Sequence, residues 1–267
     1  MDNCTAIVSD GKIMEWARVE RTRESIAMTA SGKFKTIPNI SDFPEEEDFA
    51  KAVSEYSKDV SSRVSESVTL GIPSSDIIFR IANLPTADED EIKAMINNLM
   101  EKDAPLPIEE MTVSYEVLRR EEERSLVLSA ATPSARIDSM SALIGIQPSR
   151  IDRVGATVLG TLYALADKSA FSMNMRDIVL VEEGSDLTLA LADSGLPVMI
   201  RSCGAAKAAS QQSVLNAVRI ALIQVQMEHG TAGLSKVICA TTSNDIKNIG
   251  LSLADSLNAE FTLHTTA

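Results

Sequence analysis

The sequence predicts an α/β fold, and three observations support this. Short apolar runs bounded by turn residues alternate with longer segments whose apolar residues recur at helical spacing. The order of strand then helix repeats along much of the chain, which is typical of α/β domains. Aromatic residues make up only 4% of the 267 residues, whereas apolar residues make up 45%, so we expect a large aliphatic core.

The first quarter of the chain predicts a hairpin, a further strand, a long helix and a buried strand. CTAIVSDGKIMEWARVE places Asp10 and Gly11 between two apolar runs, which indicates a tight hairpin turn. Another strand is expected between about residues 23 and 40. FPEEEDFAKAVSEYSKDVSSRVSES has an acidic first turn and apolar residues at helical spacing, and SVTLGIP is typical of a short buried strand.

Residues 76–150 predict a strand, a helix, two strands and a second helix. DIIFRIANLP is the first strand, and Thr86 and Glu89 have capping-box spacing before the helix. MTVSYEVL and SLVLSAA are strands on either side of the charged turn RREEER. Pro133 opens the second helix and Gly145 ends it. This β-α-β-β-α order is that of a ferredoxin-like split unit, compact enough to be an inserted subdomain.

The rest of the chain predicts a buried helix, a second hairpin and a closing strand-helix-strand unit. RIDRVGATVLGTLYALAD has small and apolar residues on nearly every face, as a helix buried between layers does. VEEGSDLTLALADSGLPVMIRS forms the hairpin. SVLNAVRIALIQVQMEH predicts a long apolar helix, KVICATTS a buried strand, IKNIGLSLADSL a helix and AEFTLHTT a short last strand.

Composition excludes several classes of partner. The formal net charge is −13, which would repel nucleic acid and disfavours an anionic membrane surface, whereas a basic peptide is compatible with it. The three cysteines lie far apart, without metal-ligand spacing, so we expect free thiols in a reducing compartment. No apolar run approaches the length of a membrane span and the start lacks signal-peptide features, so we expect a soluble cytoplasmic protein without direct membrane insertion.

Several stretches together resemble one family. LGIPSSDIIFRIANLP, KDAPLPIEEMTVSYEVL and LVLSAATPSARIDSMSALIGIQPSRIDRVGATVLGTLYAL are similar to the type IV pilus assembly protein PilM, an actin-like family related to the cytoplasmic part of the type II secretion protein GspL. VEEGSDLTLALADSGLPVMIRS matches the second hairpin of that family, and KVICATTSNDIKNIGLSLADSL its closing strand and helix. The resemblance spans nearly the whole chain.

The resemblance implies an actin-like, ribonuclease H-like core of two lobes. Residues 1–75 and 151–172 would form the first lobe, residues 76–150 the inserted ferredoxin-like subdomain, and residues 176–267 the second lobe. The small upper subdomain of the second lobe is expected to be missing, because RSCGAAKAASQQ leads directly from the second hairpin into the long helix.

Actin-like ATPases hold a nucleotide and Mg²⁺ between two hairpins, beside a glycine-rich turn. The positions that match here are Asp10, Gly11 and Lys12 in the first hairpin, Glu182 and Gly184 in the second, and Thr241 and Thr242 after the closing strand. Small residues do not follow Gly11, and the acid Asp186 follows Gly184 close to where phosphate would lie. The two threonines stand where the family has glycines.

These departures predict a vestigial site without a catalytic residue, a metal or a cofactor. The alternative is that ATP and Mg²⁺ still bind, with Glu182 serving the metal and Lys12 the phosphate. The contact residues for a protein partner are not predicted.

The resemblance implies a non-catalytic scaffold at the inner face of the inner membrane. It would dock the N-terminal cytoplasmic peptide of a PilN-like membrane partner, the assembly ATPase, or both. An acidic surface suits a basic juxtamembrane peptide. Two alternatives stand beside this: an ATP-binding, weakly hydrolysing actin-like ATPase, and self-association into filaments.

Overall fold

The α/β prediction is confirmed. The computed structural model describes residues 2–9, 12–21, 26–64 and 67–265. Within those residues it contains two five-stranded sheets, one three-stranded sheet and six α-helices.

In chain order the strands and helices are β1 (Asp2–Ser9), β2 (Ile13–Arg21), β3 (Ile26–Thr36), α1 (Glu46–Arg63), β4 (Ser67–Ile72), β5 (Ile78–Leu84), α2 (Glu89–Asp103), β6 (Met111–Arg120), β7 (Ser125–Pro133), α3 (Ser134–Ile144), β8 (Ile151–Ala156), α4 (Thr157–Asp167), β9 (Arg176–Glu183), β10 (Asp186–Asp193), β11 (Leu196–Ala205), α5 (Gln211–His229), β12 (Leu234–Ala240), α6 (Asn244–Leu257) and β13 (Glu260–His264).

The two five-stranded sheets share one plan. The first has the order β3-β2-β1-β4-β8 and the second the order β11-β10-β9-β12-β13. In each sheet the first three strands of the chain pair antiparallel as two successive hairpins. The remaining strands then add in parallel, beginning beside the first strand. The same five-strand unit therefore occurs twice.

The chain divides into two compact units. The first comprises Met1–Pro73 and Pro133–Thr157, and the second comprises Ser74–Thr132 and Val158–Ala267. Each contains one of the five-stranded sheets. The division into two lobes and a separate inserted subdomain stays a prediction, because these units describe compactness alone.

In the first unit, α1 packs against α3. The buried face of α1 includes Tyr56 and Val60, and that of α3 includes Ile144. Gly145 ends α3 with φ +70°, and a Cβ placed there would lie 2.9 Å from the Cβ of Ser57. The sequence places α3 in the inserted subdomain, and that assignment stays a prediction; its apolar face is covered at least in part by α1.

The predicted order of strand, helix, strand and strand is present in β5, α2, β6 and β7. β7 lies between β5 and β6 in the three-stranded sheet, and α2 covers that sheet with Ile92, Ile96 and Met100. The predicted cap of α2 is shifted, because Asp88 is the N-cap residue and its carboxylate accepts the N–H groups of residues 90 and 91. Thr86 instead donates to the Glu91 side chain, 2.5 Å away.

The sequence predicted that RIDRVGATVLGTLYALAD forms one buried helix, and this prediction is wrong. Its first part is the edge strand β8, and only the part from Thr157 onward is helical. Val158, Leu162 and Leu165 of α4 are buried, whereas Tyr163 is exposed and donates a hydrogen bond to Glu116 of β6. The strand was missed because an exposed edge strand lacks apolar alternation.

In the second unit, α5 and α6 cover one face of the second sheet. They share an aliphatic core with β9, β10 and β12. β11 passes through a single 3₁₀ turn, Ala206–Ala208, directly into α5. Although α5 has 19 residues, no helix in the described part of the chain combines the length and apolarity needed to cross a membrane.

Candidate functional site

The predicted nucleotide positions of the first hairpin are only partly described. β1 and β2 pair as a hairpin, with Ser9 opposite Met14. Asp10 and Gly11 lie outside the described residues. The backbone carbonyl of Lys12 accepts a hydrogen bond of 2.7 Å from the N–H of Ile37, so this residue is anchored in the same sheet.

In the second unit, Glu182 and Thr241 form a hydrogen-bonded pair. Glu182 is near the end of β9, and Thr241 follows the neighbouring strand β12. The Thr241 hydroxyl donates to Glu182 Oε2 at 2.5 Å and accepts the N–H of Ser243 at 2.8 Å. Ser243 in turn caps α6 by accepting the N–H of Ile246. Thr241 is 1% exposed, so its side chain is an internal part of this corner.

Glu183 has a different environment from its neighbour, as expected from alternation along a strand. It is 6% exposed, and one oxygen accepts a hydrogen bond of 2.5 Å from the Thr188 hydroxyl. Burial raises the pKa of Glu183 above its usual value, while donors of Ser74, Thr188 and Val158 act in the opposite direction. The Ser74 hydroxyl and Glu183 Oε1 have no well-formed hydrogen-bond partner among the described residues.

Gly184 is explained by the turn that it forms. Glu183 pairs with Asp186, so Gly184 and Ser185 make a two-residue connection between β9 and β10. Gly184 has φ +61°, a conformation that favours glycine. The turn therefore accounts for this glycine without a ligand.

Thr242 lies on the surface beside the buried Thr241. Neither threonine is among the described residues with positive φ. Their backbone is thus the ordinary kind that β-branched residues adopt, in agreement with the sequence argument. Cys239, three residues before Thr242, is buried against α6, and burial raises its pKa to about 12.

A buried charged cluster at the opposite end of β9 was not predicted from the sequence. Arg176 is 3% exposed and contacts Asp193 Oδ2 at 3.2 Å and the carbonyl of Gly230 at 3.4 Å. His229 Nδ1 lies 3.4 Å from the side-chain amide of Asn83. These residues are far apart in the chain, and no sequence motif links them. The sequence alone therefore could not have revealed this cluster.

Desolvation lowers the pKa of His229. The neighbouring positive charges of Arg176 and Arg119 act in the same direction, whereas the carboxylates of Glu228 and Asp193 oppose it. Burial therefore favours the neutral form of the His229 imidazole.

The surface of the insertion carries a shallow acidic depression of about 460 Å³. It lies between the start of α2 and the turn that joins β6 to β7, and is lined by Pro85, Thr86, Ala87, Asp88, Glu122, Glu123 and Arg124. No group of three potential metal-binding side chains is found among the residues described by the structure.

No family model matches the sequence, and no curated protein matches it. Solved structures do resemble it. A chain of the PilM–PilN type IV pilus biogenesis complex aligns with a TM-score of 0.73 and 14% identity, covering 98% of this chain and 88% of that one. A Bacteroides thetaiotaomicron protein of unknown function with an actin-like ATPase fold aligns with a TM-score of 0.62 and 11% identity, covering 98% and 90%.

A third similar structure is the cytoplasmic domain of EpsL, an inner membrane component of the type II secretion system of Vibrio cholerae. Its TM-score is 0.53 at 14% identity, covering 100% of this chain and 90% of that one. The resemblance to PilM and to the secretion protein that was predicted from the sequence is thus confirmed at the level of fold. The chain has an actin-like fold, similar to that of a PilM–PilN complex chain and of the EpsL cytoplasmic domain.

Proposed function

We propose that this chain is a non-catalytic component of a type IV pilus or type II secretion-like assembly machine. It docks the short cytoplasmic N-terminal peptide of a membrane-anchored, PilN-like protein, and through that partner it resides at the inner face of the inner membrane. The assembly ATPase is a further candidate partner.

The observation that carries the proposal is the extent of the likeness to a chain of the PilM–PilN complex. It covers 98% of this chain and 88% of the other. Both five-stranded sheets and the insertion therefore have counterparts there. A fold shared over the whole chain supports a shared role more than a shared sheet alone would, and the role is tested below.

The second unit supports a non-catalytic role. At the position of the family's glycine pair, the side chain of Thr241 is buried and bonded to Glu182. A hydrated metal at this corner would require Glu182 to exchange its present partner, the Thr241 hydroxyl, for a metal-bound water. These residues fit Mg²⁺ and a triphosphate poorly.

The charge of the chain supports a basic partner segment. Its formal net charge of −13 attracts the lysines and arginines that flank membrane spans on the cytoplasmic side. Such attraction accelerates encounter and is weakened by salt.

The test is a calorimetric titration of this chain with the cytoplasmic N-terminal peptide of the PilN-like protein from the same organism. We expect saturable binding that weakens as salt is raised. A scrambled peptide of identical composition is the control, since it retains the charge but loses the order of side chains. Equal binding of both peptides, or binding of neither at low salt, would refute the docking role.

A thermal-shift experiment with Mg-ATP tests the absence of a working nucleotide site. A ligand present at a hundred times its dissociation constant stabilises a protein by about 2.7 kcal/mol. We expect no shift. A shift in the wild type that disappears in Glu182→Ala would favour the ATP-binding alternative instead.

A further inference from the structure

The outer face of α5 is an exposed apolar stripe. Ile220 is 57% exposed, Ile223 61% and Met227 83%. Their spacing of three and then four residues places them along one side of the helix. The opposite side is fully occupied, because Val218 and Val225 are buried in the core of the second unit.

Helix α1 of the first unit can be compared with α5. α1 and α5 have the same place in the repeated plan, since each follows the third strand of its sheet and precedes the fourth. α1 has eight charged residues among 18, and none of its large apolar side chains is exposed. α5 has two charged residues, Arg219 and Glu228, among 19. The solvent-facing side of α5 has therefore lost the charges that this position carries elsewhere in the same chain.

Each edge of the stripe carries an amide side chain. Gln224 lies on one edge and donates to Glu228 at 3.4 Å, and Gln226 lies on the other beside Arg219. From Gln211 to Met227 the helix contains no acidic residue, although the chain as a whole has a formal net charge of −13. A chain this acidic can approach its own copy closely only over a face without acids, because like charges brought together are costly.

A two-fold dimer imposes a further requirement, and the outer face of α5 satisfies it. In a two-fold dimer of antiparallel helices, each edge of the stripe lies beside the same edge of the second copy. A charged edge would therefore face its own charge. An amide has two N–H groups and an accepting oxygen, so Gln224 can donate to Glu228 and still pair with Gln224 of the second copy. On the other edge, Arg219 can donate to the amide oxygen of Gln226 of the second copy.

We propose that two copies of this chain associate through the outer face of α5, as a closed two-fold dimer. Ile220, Ile223 and Met227 form its apolar centre, and the glutamines form its polar edges. This dimer does not depend on the docking role proposed above, and it differs from a filament because a two-fold contact leaves no free end.

Sedimentation velocity over a series of protein concentrations tests the dimer. We expect the wild type to shift from monomer to dimer, and Ile223→Asp to raise the dissociation constant by about tenfold or more, since it buries a charge against its own copy. The matched control is Ile40→Asp, because Ile40 is also 61% exposed but lies outside α5. Monomeric wild type at every concentration, or equal effects of the two variants, would overturn the proposal.

A charge-swap pair tests the two-fold geometry without altering the apolar stripe. Gln224→Glu and Gln224→Lys each place like charges opposite one another, so each variant alone should dimerise more weakly than the wild type. An equal mixture of the two should recover dimer, because opposite charges then meet. A mixture no more dimeric than either variant alone would rule out this contact. Circular dichroism of each variant verifies the fold.

Discussion

The hydroxyl of Thr241 donates to Oε2 of Glu182 across 2.5 Å, which joins the end of β12 to the end of β9. The same hydroxyl accepts the N–H of Ser243 at the start of α6. One buried side chain therefore connects two strands and a helix.

Replacing this hydroxyl should destabilise the chain. Thr241→Val leaves a carboxylate and a backbone N–H without their partner, so we expect the free energy of unfolding to fall by about 1–3 kcal/mol. Denaturant titration measures it. Thr242→Val is the matched control, since Thr242 is exposed, and it should change stability by less than about 0.5 kcal/mol. Similar losses in both variants would contradict the assigned role.

Glu183 should make stability depend on pH in the acidic range. Because burial raises its pKa in the folded state above 4.5, the folded state holds the proton more tightly than the unfolded state does. Its contribution is fully present below about pH 4.5 and is lost as pH rises through the folded-state pKa. As pH rises, the free energy of unfolding of the wild type should therefore fall relative to that of Glu183→Gln. A constant difference between the two proteins across this pH range would contradict the prediction.

His229 should make stability depend on pH in the opposite direction from Glu183. Desolvation lowers its pKa from 6.5 in the folded state, so its contribution to stability is present above pH 6.5 and is lost as pH falls through the folded-state pKa. Thermal melts between neutral and mildly acidic pH should show the wild type losing stability relative to His229→Gln. The variant His264→Gln retains His229 and should lose stability with the wild type. A wild type and His229→Gln that change in parallel would refute this.

Two helical glycines should respond oppositely to alanine. A Cβ at Gly250 in α6 would clash with Cys239 Sγ and lie 3.0 Å from Phe261 Cε2, so Gly250→Ala should cost about 1–3 kcal/mol. No atom lies within 4 Å of a Cβ at Gly160 in α4, so Gly160→Ala should stabilise by about 0.5–1 kcal/mol. Chemical denaturation of both variants compares them, and effects of the same sign would be inconsistent with this packing.

Much of the fold could be predicted because its core elements carry local signals. The alternation around VEEGSDLTLALAD predicted β9 and β10, and the apolar spacing of α5 and α6 predicted both helices. β8 could not be recognised, since its exposed residues Asp152, Arg153 and Val154 lack the pattern of a half-buried strand. The partner of α3 was also hidden, because helical spacing indicates which face is buried but not which element covers it.

The candidate site was predictable to a similar degree. Strand alternation indicated that Glu182 and Glu183 differ in environment, whereas the loss of a glycine at Thr241 stays a prediction. The depth of Glu183 could not have been predicted, because both faces of β9 are apolar and buried before the two acids. The contact of His229 with Asn83 joins residues 146 positions apart, and a single sequence has no local signal for such a pair.

The short link between β11 and α5 offers a place to label the protein. Lys207 and Ala208 are exposed there, and the chain has already left the sheet but has not yet entered the helix. A fluorescent protein inserted between these two residues would leave both ends of the chain untouched. The protein could then be tracked in living cells with its strands and helices intact.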